Sequence, residues 1–424
     1  VEMVQTVLLV VLVFFVIVSI HEWGHFFFAK RAGILVREFA IGFGPKLFSV
    51  KKGETRYTLR LIPAGGFVRM AGEDPEIVEV QPGQTIAVRL AGDQVTRIYL
   101  DRLEERTDVI RGEVETIDLE RSLEIVMDVE GVRESYKVHP QAFMVSKGRD
   151  TQIAPLDRQF GSKTVGQRAL AIFAGPFMNF VLAFVLFMVY IQMVGVPIDP
   201  PDKVMIGQII EGRPAADANL EVGDEIQSIN GEAIGGDYER MIALIGASAD
   251  KLMQWTVLRD GQPINVEITP ILDPEAGEGK VGISPSFPMR SASVGETISY
   301  AGKAMKNMTE LILQGLKKLV LGDFVLDDLG GPVRTAEVTG QIAKQGIAQL
   351  TSWTAILSLY LGIFNLLPFP ALDGSRLIFI GLEAVRGRPI DPNRESMVHF
   401  IGFAMLMLLM LAVTYNDILR LVRG

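Results

Sequence analysis

Two histidines, a glutamate and a distant aspartate are the residues of this sequence whose types and spacing can do chemistry. His21, Glu22 and His25 stand in the string HEWGH. On a helix, positions i and i+4 share a face, so both imidazoles can reach one ion. Zinc suits imidazole and carboxylate ligands. The residue after the first histidine lies about 100° around the helix. Glu22 therefore sits beside a Zn2+ ion rather than on it, where a carboxylate can serve as general base toward water. Zinc lowers the pKa of a coordinated water to roughly 7, which makes a nucleophile available at neutral pH. A catalytic zinc takes three protein ligands and leaves a fourth position open. His139 falls in a polar region and His399 in a late apolar run, and neither is a compelling third ligand. Asp373 is the candidate. It is the only acid of NLLPFPALDGSRL, placed after Pro368 and Pro370 and before Gly374. Such residues break a helix, which is tolerated at membrane depth only where backbone is buried or lines a cavity. The alternative for Asp373 is a helix-terminal acid at an interface.

The elements that must position these groups are apolar. Four long uncharged runs cover 3–20 (apolar on to Ala29), 169–196, 345–372 and 397–416. Each approaches or exceeds the roughly 20 residues needed to cross a bilayer. The 424 residues are 49% hydrophobic yet 21% charged, as expected of apolar spans alternating with water-exposed domains. A net charge of −9 argues against a nucleic-acid partner. The absence of cysteine excludes a disulfide framework, a thiolate zinc site and a cysteine nucleophile. Basic residues crowd the segment after the first run, among them Lys30, Arg31, Arg37, Lys46 and Lys51. That side is expected to be cytoplasmic. Four spans then leave both termini outside and put 31–165 in the cytoplasm. Spans one and three run the same way, and each carries its candidate ligands late, so His21, His25 and Asp373 fall at similar depth.

Residues 31–70 read as a membrane-associated β-hairpin, with KLFSV and TRYTLRLI flanking the turn KKGE. An ordinary surface hairpin is the alternative. Residues 71–165 alternate in short runs and suggest a small β-rich cytoplasmic domain. Within 198–290, the string PAADANLEVGDEIQSINGEAI resembles the short helix, Gly-Asp turn and strand of a PDZ domain. That resemblance implies an extended peptide added at a strand edge, or a module that only spaces and shields. Residues 291–344 are amphipathic. Ile298, Ala301, Met305, Met308, Ile312, Leu316 and Leu319 make a helical stripe, suited to the outer membrane surface or to packing on the PDZ domain.

HEWGH, REFAIGFGPKLFS, IPAGGFVRMAGEDPE, AGPFMN and NLLPFPALDG together resemble the site-2 protease family of intramembrane zinc metalloproteases, of the bacterial regulator-of-sigma type. The resemblance runs essentially full length. It implies a multi-pass α-helical membrane protein of the cell membrane, with four transmembrane helices at 1–30, 166–197, 345–382 and 397–420 and an extracytoplasmic PDZ domain. It implies that His21, His25 and Asp373 bind Zn2+ and that Glu22 is the catalytic base. Asn365 and Asn179 match family asparagines near the active site and are substrate-binding or oxyanion candidates; a polar cap before Pro368 is the alternative for Asn365. The implied partners are the lipid bilayer and transmembrane substrates, of the anti-sigma factor and remnant signal peptide classes, with the PDZ domain excluding bulky ectodomains. Ser375 replaces a glycine common in the family, and Tyr360 stands where relatives often carry asparagine. A rival reading is a noncatalytic PDZ-containing membrane adaptor whose zinc only staples two helices. A structural site needs no Glu22, which disfavours it.

Overall fold

The computed structural model describes residues 2–73, 80–198, 202–273, 277–322, 330–388 and 390–423. Along the chain come helix α1 (Glu2–Arg31), strands β1 (Val36–Lys52) and β2 (Thr55–Met70), and six strands, β3 (Thr85–Ala91), β4 (Gln94–Tyr99), β5 (Ile110–Asp118), β6 (Glu124–Val129), β7 (Val132–Ser146) and β8 (Arg149–Gln152). Helix α2 (Val165–Val194) follows. Next are β9 (Val196–Pro197), β10 (Met205–Ile209), α3 (Pro214–Asp217), β11 (Glu225–Ile229), β12 (Glu232–Ala233), α4 (Tyr238–Gly246), β13 (Met253–Arg259) and β14 (Gln262–Ile268). Then come β15 (Ile271–Asp273), β16 (Glu278–Lys280), β17 (Ile283–Ser286) and β18 (Met289–Arg290). Five helices close the chain: α5 (Val294–Leu321), α6 (Pro332–Gln345), α7 (Ile347–Asn365), α8 (Asp373–Arg386) and α9 (Pro392–Arg423). Contacts divide it into two compact units, Met188–Lys303 and the remainder.

In the larger unit, four helices are long and apolar enough to cross a membrane: Val4–Arg31, Val165–Val194, Ile347–Asn365 and Arg394–Arg420. Large apolar side chains such as Leu8, Phe15, Val185, Phe400 and Leu408 stay exposed on them. Helices with apolar residues on their outer faces suit lipid rather than water. The third apolar run is not one helix. α7 stops at Asn365 and α8 starts at Asp373. Pro368 and Pro370 lie in the gap, where neither can donate a backbone N–H to a continuing helix.

The 36–70 segment is more than a hairpin. Residues 38–41 pair on two sides, with 56–59 and with 66–69, while 48–52 pair with 55–59. The result is a small sheet in which the 66–69 segment is paired on one side among the described residues. Beyond it, β3, β5, β6, β7 and β4 pair in a closed ring, because β4 bonds both β3 and β7. Closure removes exposed strand edges. Its core is Ile86, Val88, Val95, Ile98, Ile125 and Met127. Glu54, at the turn between β1 and β2, takes two hydrogen bonds from Arg158 and one from Gln152, tying that turn to the chain after the barrel. In α5, the stripe Met305, Met308, Ile312 and Leu316 packs on Ala183 of α2 and on Leu359 and Ile363 of α7. Neither partner expected for this stripe, membrane surface or PDZ domain, is the one that covers these four residues.

The smaller unit is a sheet ordered β14-β13-β11-β10-β17, over a core that includes Ile206, Ile226, Ile229, Trp255 and Val257. The Gly-Asp turn read from the sequence is there. Gly223 takes φ +100°, a conformation that costs a side chain strain. Buried Asp224 next to it accepts two hydrogen bonds from Arg259 at 2.8 and 2.7 Å, pinning the start of β11 to the end of β13.

Candidate metal centre

α1 carries His21, Glu22 and His25 on its buried side, all under 8% exposed. α1 and α2 meet closely at Gly24, where an added Cβ would lie 2.3 Å from the Ala174 carbonyl oxygen. Gly175 faces His25 in the same way: its added Cβ would lie 2.1 Å from His25 Nε2. Small residues at these two positions are what let α2 reach the imidazoles. His25 Nδ1 lies 2.9 Å from the Ala171 carbonyl, so it donates there and Nε2 is left with a free lone pair.

Asp373 arrives from the break between α7 and α8. Gly374 makes the tight entry possible, since an added Cβ would meet the Leu366 and Leu367 carbonyl oxygens at 2.3 and 2.4 Å. Ser375, one of the family departures, is buried and donates from Oγ to the Leu372 carbonyl at 2.8 Å, closing the first turn of α8. Ala371 holds φ +79°, and its N–H donates to His399 Nδ1 on α9 at 3.1 Å. His399 thus steadies the loop that presents Asp373. Gly402, one turn further along α9, gives Pro370 room.

Among the described residues, His21, His25 and Asp373 are brought together, with one ligand atom of each lying within 4.8 Å of the others. The separations are 3.2 Å between the two Nε2 atoms, 3.3 Å from His21 Nε2 to Asp373 Oδ2 and 3.4 Å from His25 Nε2 to the same oxygen. A tetrahedral zinc with ligands at roughly 2.0–2.1 Å would hold them about 3.3 Å apart. Asp373 Oδ2 is buried and has no hydrogen-bond donor. An orphaned carboxylate oxygen facing two imidazole nitrogens at tetrahedral spacing fits zinc in both geometry and donor chemistry.

Glu22 lies against the 66–69 segment. A Cβ added to Gly66 would fall 2.7 Å from Glu22 Cγ and 3.1 Å from Oε1, so a side chain there would displace the carboxylate. Phe67, Val68 and Arg69 of the same segment line a cleft with Glu395, His399 and Phe403 of α9. Asn365 is half-buried, and its Nδ2 donates to the Leu361 carbonyl one turn back at 3.0 Å. Asn179 is fully buried, and its side-chain amide lies 3.3 Å from His21 Nδ1. Tyr360 is exposed and stacks on Phe364. His139 lies on β7, outside the cluster.

Sequence reasoning missed the positioning residues Gly24, Gly66, Gly175, His399 and Gly402. Glycine inside a helical pattern costs about 1 kcal/mol relative to alanine, so its presence in an apolar run is a usable signal of close approach.

The model of peptidase family M50 matches residues 9–409. The chain is 45% identical over 422 residues to the regulator of sigma-W protease RasP of Bacillus subtilis, covering 99% of each. It is 39% identical over 424 residues to the probable protease eep of Enterococcus faecalis, covering 98% of this chain and 99% of that one. Among solved structures, the PDZ domain of an SdrC-like protein from Listeria monocytogenes aligns with 20% of this chain and 87% of its own, at 23% identity and a TM-score of 0.18.

Proposed function

Since this chain belongs to peptidase family M50 and is an intramembrane zinc metalloprotease of the site-2 type, we propose that His21, His25 and Asp373 hold its zinc and that Glu22 is its catalytic base. The carrying observation is the convergence of the three ligand atoms at 3.2–3.4 Å with Glu22 buried beside them. Bound zinc supplies Lewis-acid polarisation of the scissile carbonyl and acidifies water. The rest belongs to the chain. Glu22 accepts the proton of the attacking water and delivers it to the leaving amine. A substrate helix hides its amides, so the scissile segment must unwind first. The edge of the 66–69 segment that is unpaired among the described residues is positioned to take that extended segment as an added strand, and Gly66 would then carry it past Glu22. Asn365 at the end of α7 can exchange its bond to Leu361 for one to substrate backbone or a developing oxyanion.

The substrates we infer are transmembrane segments of anti-sigma factors and remnant signal peptides; the Bacillus subtilis relative is named for regulation of sigma-W. The four spans leave both termini and 198–290 extracytoplasmic and 31–165 cytoplasmic, a sidedness supported by the basic residues after the first span. The sheet of 198–290 and its Gly-Asp turn support a PDZ reading, with exclusion of bulky ectodomains as its role.

Cleavage of a membrane-embedded reporter by wild type and Glu22→Gln tests the site. We expect a loss of about 10²–10⁴-fold with zinc content retained. Equal cleavage would remove Glu22 from the mechanism. Zinc binding without cleavage by either protein would favour the adaptor.

A further inference from the structure

We propose that Asn179 is a positioning residue of the metal centre, which fixes the His21 tautomer by accepting the Nδ1 proton on its side-chain oxygen. The proposal rests on the reading of His21, His25 and Asp373 as zinc ligands. His25 shows what such a ligand needs: its Nδ1–H is absorbed by the Ala171 carbonyl at 2.9 Å, so Nε2 faces the ion site without a proton. His21 must meet the same condition, because its Nε2 is the atom that converges on His25 Nε2 and Asp373 Oδ2. The group facing His21 Nδ1 is the Asn179 amide at 3.3 Å.

An amide can present either end, and the two ends have nearly the same shape. With Nδ2 toward the ring, Asn179 donates to Nδ1. The ring proton is then forced onto Nε2, where it would point at the other ligands. In that orientation Asn179 Oδ1 is also buried with no partner. Exchanging the two ends gives Oδ1 a partner, the His21 Nδ1–H, and leaves Nε2 as a lone pair.

Asn179 is built to hold this position. It is 0% exposed, which removes it from contact with a substrate. Its own carbonyl accepts from Ser358 Oγ on α7 at 3.0 Å. On α7, an added Cβ at Gly362 would lie 3.4 Å from Asn179 Cβ. Ligating histidines commonly pass their second ring N–H to such an acceptor, and losing it typically weakens metal affinity by 10–100-fold.

The test measures zinc transfer from the full-length, detergent-solubilised, zinc-loaded protein to a chromophoric chelator. Asn179→Leu keeps the shape and removes the acceptor; we expect transfer about 10–100-fold faster. Asn179→Asp keeps an acceptor and removes the donor; we expect zinc held at least as tightly as in wild type. Wild-type retention by Asn179→Leu would overturn the proposal. So would loss by Asn179→Asp equal to that by Asn179→Leu, because the donor would then be what matters. Asp373→Asn is the control for the underlying site, and undiminished zinc retention there would sink the ligand reading itself. A measurement independent of any variant's folding is the ring nitrogen spectrum of 15N-histidine-labelled wild type. His21 protonated at Nδ1 is expected; a proton on Nε2 overturns the proposal.

Discussion

Ala371 is the residue on which the placement of Asp373, the proposed third ligand, turns. Its φ of +79° is a left-handed conformation that alanine pays for and glycine does not. The strain is held in place by the hydrogen bond from its N–H to His399. Ala371→Gly is therefore expected to keep zinc stoichiometry and to match or exceed wild-type stability by up to about 1 kcal/mol. Ala371→Val adds a branched side chain to the same conformation, and should cost about 1–3 kcal/mol and loosen zinc. Thermal unfolding with metal analysis checks both. An undisturbed Ala371→Val protein would mean that the loop relaxes and the strain is not stored there.

At the scale of elements, the contacts that orient the sheet beside the site are ionic. The hydrogen bonds from Arg158, assisted by burial-opposing contacts from Gln152, hold the Glu54 carboxyl at about 2, well below the ordinary glutamate value of 4.5. A folded-state pKa below the unfolded one stabilises the fold above pH 4.5. That stabilisation drains away as pH falls from about 4.5 to about 2. Glu54→Gln should thus cost on the order of 1 kcal/mol at pH 7, after discounting for solvent screening at this partly exposed pair. The gap from wild type should narrow progressively below pH 4.5, as read by thermal unfolding across that range. A gap independent of pH would show that Glu54 acts by shape rather than charge. In the sheet it anchors, burial works against ionised Glu38, but Thr58, Arg60 and Arg69 outweigh it and hold its carboxyl low. Glu54 fastens the β1–β2 turn, and Glu38 ties Thr58, Arg60 and Arg69 to β1, on the strand that pairs with the 66–69 edge.

For the whole molecule, the proposed sidedness makes a labelling prediction that the chain is already prepared for, since it contains no cysteine. Val222 and Lys147 are both exposed. A membrane-impermeant maleimide should label Val222→Cys in intact cells and Lys147→Cys only after permeabilisation. The reverse pattern would invert the topology and place the metal centre nearer the opposite face.

Much of the proposed site was legible in the sequence because it is local. HEWGH needs only helical spacing to aim two imidazoles one way, and four apolar runs declare themselves by length and the absence of charge. Asp373 was legible through its neighbours, as an acid among prolines and glycine in an otherwise uncharged run. The distances were not legible, because they depend on backbones meeting. Gly24 and Gly175 matter only through the α2 atoms and the imidazole that crowd them. The second pairing of residues 38–41 and the closure of the barrel through β4 and β7 are likewise contacts between distant segments. Asn179 shows the difference most directly. From its motif it was a candidate for touching substrate, and only burial between α1, α2 and α7 turned it toward His21. A sequence specifies which groups are available along each element, and packing decides which of them face one another.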